Sequence, residues 1–278
     1  MIKKLLIETV QITLLVGVMM ILVDLINVLS KKRLEGYFIK ARRYKQYVLS
    51  SLIGAVPGCL GGFMNVSLYV HGFITFGALT GSMIAVSGDE AFVMLAMFPE
   101  TALVLFAILF VIGLFSGMLI DVVVKKYKIS TCSNCKEMIV HMNLERNTLH
   151  YLKEHIYGHI IKKHLWKTAL WTFAALALVE IGLEYLNLEK FTSEYKIVFL
   201  LFGALVGLIP ESGPHLIFVT LFAQGLIPFS VLLTSSIVQD GHGMLPMLSY
   251  SFTDSVKIKV FNLIIGLSLG LFLFLIGL

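Results

Sequence analysis

Charge is scarce in this chain. Only 14% of its 278 residues are Asp, Glu, Lys or Arg, against 58% hydrophobic residues and a mean hydropathy of +0.89. Soluble domains carry about 25% charged residues, so a soluble globular fold is excluded. Lys and Arg are missing altogether from two long stretches, between Lys45 and Lys125 and between Lys196 and Lys257. A small-residue cleavage site is missing as well. The first apolar run extends from Leu5 to about Leu29 and contains Asp24, which predicts a retained span and not a signal peptide. The HExxH pattern is absent and the GxGD pattern fails at Val86, so the signatures of a membrane-embedded hydrolase are lacking and the chain reads as a non-enzyme without cofactors.

What is present comes in apolar runs of roughly 20 to 26 residues, the length a helix needs to cross about 30 Å of hydrocarbon. The lipid bilayer is therefore the first partner. Charge is also unevenly placed: Lys31 to Lys45 holds seven Lys/Arg and one acid, and Lys125 to Lys167 holds nine against three. Both segments are expected on the cytoplasmic side of the cell membrane. Basic stretches that border spans determine topology, and nucleic acid is not expected as a partner.

The chain repeats itself. A shift of 153 residues lays Gly54 to Met118 over Gly207 to Leu271 with 17 identities in 65 positions. The matches fall on Pro57 and Pro210, and on glycines 54, 72, 88, 113 and 117 with 207, 225, 241, 266 and 270. Upstream, LVD at 22–24 meets LVE at 178–180 after a further three-residue shift.

Parity orients the halves. If both basic loops are cytoplasmic, residues 46–124 cross the membrane an even number of times, yet they contain three span-length apolar segments. One segment must turn back. Gln46 to Val70 qualifies, because GAVPGCLGG at 54–62 puts Pro and four glycines at its centre. Each arm of about 11 residues reaches roughly 16 Å, to the bilayer midplane. The counterpart, Ile197 to Gln224, breaks at GLIPESGPH, 207–215, while the next segments break at SGDE, 87–90, and QDGHG, 239–243.

The expected fold is thus an all-α polytopic membrane protein of two inverted-topology repeats, each with a re-entrant hairpin (or two short spans) and a broken helix. Residues 1–124 form the first membrane repeat, 125–165 a cytoplasmic Cys/His-containing linker, and 166–278 the second repeat.

The breaks carry the chemistry. Asp89, Glu90, Glu211, His215, Asp240 and His242 all fall at Gly or Pro interruptions, in stretches devoid of basic residues. An uncompensated carboxylate in hydrocarbon must be protonated or face a cation, so these six are the candidate ligands of a transported metal ion. Together with the Gln239 amide and open carbonyls they make an oxygen and nitrogen environment that suits manganese or another borderline divalent ion; copper(I) fits poorly. Cys59, at the first hairpin tip, could favour a softer metal, but a small residue in a tight turn is the preferred reading. Glu100, Asp121, Asp254 and His71 read as ordinary residues at span ends, and Asp24, Glu180 and Glu184 as lining of a vestibule or proton path. In the linker, Cys132 and Cys135 form CSNC, followed by His141, His150, His155, His159 and His164. A secondary loop site on Cys132, Cys135 and His141 lacks a standard fourth-ligand spacing.

The paired signatures GAVPGC with SGDEAF and GLIPESGPH with QDGHGMLPML, joined by the Cys/His-bearing loop, resemble the bacterial manganese transporters also labelled ten-span heavy-metal or arsenic efflux permeases. The resemblance covers nearly the whole chain. It implies metal efflux through a ten-helix inverted repeat, with the six candidate residues at matching motif positions. The first tip, GCLGG, departs from the second, ESGPH, which argues against a fully symmetric site. The expected function is secondary transport of a divalent metal cation, manganese efflux with protons as counter-ion. The alternative, a permease for arsenicals or another anion, has half-helix N-termini in its favour and the lack of Lys or Arg near the breaks against it.

Overall fold

The computed structural model describes Leu5–Leu14, residues 43–70, 72–131 and 195–277, and a few short pieces besides. Asp24, His71, Cys132, Cys135, the linker histidines 141, 150, 155, 159 and 164, and Glu180 and Glu184 lie outside the described residues. The helices are α1 (Leu5–Leu14), α2 (Arg43–Gly54), α3 (Leu60–Val70), α4 (Phe76–Ala85), α5 (Glu90–Met97), α6 (Pro99–Lys126), α7 (Lys196–Val206), α8 (Leu216–Ala223), α9 (Phe229–Val238), α10 (Leu245–Tyr250) and α11 (Phe252–Leu275). Among the described residues there is no strand, only a two-residue bridge between Gly58 and Gly88.

Among the described residues two helices are long and apolar enough to cross a membrane, α6 with 28 residues and α11 with 24. Their exposed faces are apolar too: Leu103, Phe115 and Leu119 on α6, and Val260, Ile264 and Phe272 on α11, turn outward. A helix whose outer face is this apolar has lipid as its solvent. The chain is an all-α polytopic membrane protein.

The helices before each long span are short, because the sequence interrupts them where glycine and proline cluster. Helices α4 and α9 each have 10 residues, roughly 15 Å of rise and half of what the hydrocarbon requires. Both end the same way. Val86 and Gln239 turn extended at ψ 125° and 148°, and Gly88 and Gly241 then adopt φ +59° and +51°, the left-handed region that glycine enters without steric cost. The boundaries themselves recur at the 153-residue shift: Phe76–Ala85 returns as Phe229–Val238, and α6 and α11 begin at Pro99 and Phe252.

Packing within each half depends on small side chains. Gly77 and Gly81 of α4 face Gly113 and Gly117 of α6 so closely that a Cβ on Gly81 would stand 2.2 Å from the Gly113 carbonyl oxygen. Two small-xxx-small stripes thus let the backbones touch. In the second half Gly266 and Gly270 of α11 receive Val238 and Thr234 of α9. A buried cluster that includes Ile84, Phe92 and Leu105 from the first half and Leu216, Leu232 and Ile237 from the second then joins the halves.

Buried polar groups fix the helix ends. Asp121 accepts from the Tyr47 hydroxyl (2.6 Å), the Thr75 hydroxyl and the Gly77 N–H (2.8 Å), tying α2, α4 and α6 together. Asp254, 2% exposed, accepts from Tyr69 (2.8 Å) and Lys257 (2.9 Å) at the start of α11. Both acids were expected as ordinary residues at span ends; instead each anchors a helix N-terminus to a neighbouring helix, because a carboxylate can satisfy several donors at once.

The expectation that the buried acids lack basic partners fails at Asp240. Lys259 of α11 reaches its Oδ2 at 2.6 Å and also donates to the carbonyls of Gly207 (2.9 Å) and Val238 (3.2 Å), at the ends of α7 and α9. Asn262 donates to the other Asp240 oxygen at 2.8 Å. The ammonium closes two helix C-termini and neutralises a fully buried carboxylate at the same point.

Two substitutions test this packing by thermal unfolding in detergent. Gly81→Ala is expected to destabilise by about 1–3 kcal/mol through overpacking, while Leu103→Ala on the lipid face leaves the midpoint in place. Lys259→Met is expected to cost about 3–5 kcal/mol by stranding Asp240, with Asp240→Asn in the same chain recovering most of the loss. An unchanged midpoint in either single variant contradicts the corresponding contact.

Candidate metal centre

Backbone that leaves a helix inside the membrane must find partners in protein, and here the four interruptions find one another. Gly58 at the first tip donates its N–H to the Gly88 carbonyl at 3.0 Å. The Asp89 N–H is 3.4 Å from the Ser212 hydroxyl of the second tip, and the Gln239 amide donates to the Val86 carbonyl at 3.2 Å. The approach is tight: a Cβ on Gly241 would lie 2.6 Å from Ser212 Oγ and 3.2 Å from Gly88 Cα. Glycine is needed at 88 and 241 both for their dihedrals and for this proximity.

The junction brings together side chains that are far apart in sequence. Cys59 Sγ lies 3.4 Å from Asp89 Oδ1 and 3.7 Å from His242 Nδ1, and His242 Nδ1 is 3.7 Å from Asp89 Oδ2. One ligand atom from each of the three falls within 4.8 Å of the others. Glu211 completes the arrangement from outside, its Oε1 at 2.8 Å from His242 Nε2. His242 thus turns Nε2 to the Glu211 carboxylate and Nδ1 to Cys59 and Asp89, and in a neutral ring whose Nε2 donates to a carboxylate, Nδ1 is the acceptor.

Glu90 is 1% exposed, and neither carboxylate oxygen has a hydrogen-bond partner among the described residues. One of these oxygens and Ser212 Oγ crowd the same side of Gly88, at 2.6 and 2.7 Å from where its Cβ would be. A buried carboxylate left in this state calls for a cation or a proton.

Of the six residues chosen from sequence, Asp89, Glu211 and His242 meet directly, and Glu90 lies beside Ser212 at the same break. Asp240 is engaged by Lys259 and Asn262, and His215 places Nδ1 3.2 Å from the Ser235 hydroxyl. Neither joins the three-residue cluster. Cys59, passed over in the sequence as a turn residue, belongs to it. The 153-residue register held the signal, since it pairs Cys59 with Ser212 and Asp89 with His242, and all four side chains converge.

A family model described as "Putative, 10TM heavy-metal exporter" matches the chain over residues 4–183 and 142–276. No curated protein and no solved structure matches the chain. The match spans nearly the whole sequence. The chain belongs to the ten-transmembrane heavy-metal exporter family.

Proposed function

We propose that this protein exports a divalent metal cation across the cell membrane, the ion passing through the junction of its two halves. One observation carries the reading: a thiol, a carboxylate and an imidazole, drawn from three separate interruptions of membrane helices, put their ligand atoms within 4.8 Å of one another. Intramembrane ionisable groups are costly, and helix breaks that line a polar cavity are where transporters coordinate ions. Asp89 and His242 contact the ion, Glu211 and Glu90 supply negative charge around it, and Asp240 and His215 act from behind. Lys259 is no anion site, because its ammonium is paired with Asp240 and donates to two carbonyls. That disfavours an arsenate-like or other anionic substrate.

Of the finer reading from sequence, manganese with protons as counter-ion, the counter-ion is kept in the proposal. Protons are a natural counter-ion, since they compete with a metal for the same imidazole and carboxylate donors. The halves are proposed to be inverted, so that hairpins 43–70 and 196–223 enter from opposite faces and meet at their tips. Transport, and not hydrolysis, is the activity.

Flux of divalent metal into liposomes measures this directly. Asp89→Asn, isosteric but uncharged, is expected to reduce flux at least tenfold with normal insertion, and wild-type flux is expected to fall as the medium is acidified. Wild-type rates in Asp89→Asn would remove the junction from the ion path. Topology has its own measurement, in which single cysteines in 31–45 and in 125–165 are labelled from one side of sealed vesicles. Both segments are expected to react from the cytoplasmic side, and labelling from opposite sides would end the inverted-repeat proposal.

A further inference from the structure

The donor atoms at the junction are not those of a manganese site. Cys59 is 5% exposed and Asp89 8%, so both face inward from water, and the polarisable sulfur sits at the driest corner of the cluster. Glu211 holds His242 by Nε2, leaving Nδ1 as the inward donor. That is the outer-shell carboxylate arrangement common behind metal-bound histidines, and it makes Glu211 a positioning residue and not a ligand.

Spacing speaks to the ion as well. The separations are 3.4 Å from sulfur to Asp89 Oδ1, 3.7 Å from sulfur to His242 Nδ1 and 3.7 Å from Nδ1 to the other carboxylate oxygen, Asp89 Oδ2, and one donor atom from each residue lies within 4.8 Å of the others. A tetrahedral ion bonded at about 2.0–2.3 Å to such donors places them roughly 3.3–3.6 Å apart. Manganese prefers six oxygen-rich positions, while thiolate with imidazole selects zinc and its softer relatives, which also stand above manganese in intrinsic affinity.

We infer that Cys59 Sγ, the Asp89 carboxylate and His242 Nδ1 form a three-donor seat for a borderline divalent ion of the zinc or cadmium kind, in preference to manganese, with Glu211 orienting the imidazole. The inference rests on the transport reading for its role but on geometry for its site. Binding replaces the Cys59 thiol proton, which leaves to water, and the fourth position stays open to water or to a neighbouring oxygen. An incomplete protein shell suits a cargo that must depart again.

The test uses the full chain in detergent, with Cys132→Ser and Cys135→Ser so that Cys59 is the only thiol. Cadmium is expected to give an ultraviolet thiolate charge-transfer band saturating at one ion per chain, and zinc to compete for it at least tenfold better than manganese. Cys59→Ser should abolish the band and weaken zinc and cadmium tenfold or more while changing manganese little. Glu211→Gln should keep the band but weaken binding about tenfold, as outer-shell losses do. His242→Ala is a second route to the same loss if Cys59→Ser fails to fold. Manganese binding as tightly as zinc, or cadmium affinity indifferent to Cys59→Ser, overturns the inference. Liposome flux run in parallel separates the two readings. Zinc and cadmium flux indifferent to Cys59→Ser sinks the inference and leaves the transport proposal standing. A cadmium band in a protein that moves no divalent ion supports the seat and sinks transport.

Discussion

A peptide group with no helix to belong to has nowhere to hide in hydrocarbon. Each unpaired N–H or carbonyl there costs several kcal/mol, and this chain interrupts its membrane helices at four points. The interruptions are affordable only in one another's company. Gly58 bonds to Gly88, Gln239 to Val86, and Asp89 approaches Ser212, so each loose end satisfies a polar group of another. The candidate metal centre is a by-product of this constraint. Wherever four breaks must converge, the side chains they carry converge with them, out of reach of lipid.

Duplication supplies the breaks, and divergence supplies the chemistry. Gly88 and Gly241 keep the same left-handed turn, as do Gly72 and Gly225 at φ +75° and +72°, so at these turns the backbone of one half repeats that of the other. The side chains do not. Asp89 corresponds to His242 and Cys59 to Ser212, which turns two equivalent positions into a mixed donor set. The charged pair Asp240 and Lys259 corresponds to Ser87 and Phe106, so only one half carries a neutralised buried acid. A symmetric scaffold with asymmetric contents is how the chain obtains sulfur, nitrogen and oxygen donors around one point.

Much of this was legible in the sequence, because composition and glycine placement act locally. Spans, breaks and the placement of Asp89, Glu211 and His242 at those breaks follow from apolar run length and from the rarity of acids at such depth. Two features escaped for opposite reasons. Cys59 was discounted because its type fits a tight turn, and only the tertiary meeting of tip and break gives the thiol neighbours. Lys259 was missed because absence of basic residues along a stretch of chain says nothing of what a packed helix brings across; it arrives from α11, with its ammonium inward. Asp121 and Asp254 show the same limit, since the tyrosines they bind come from α2 and α3.

The four side chains around the junction are not equally wet. The Glu211 side chain is 31% exposed and those of His242 and Asp89 are 12% and 11%, while Cys59 and Asp89 as whole residues are 5% and 8% exposed. An aquo ion coming from the open side therefore meets a hard oxygen first, then nitrogen and a second carboxylate, and sulfur last. Glu211 would draw the ion in by charge without binding it, and the water shell would then be exchanged one donor at a time, with the least hydrated position reserved for the ligand that least resembles water. Such a staircase discriminates by the work of dehydration before the final contact is made, so ions that hold their water tightly would turn back at the carboxylate step.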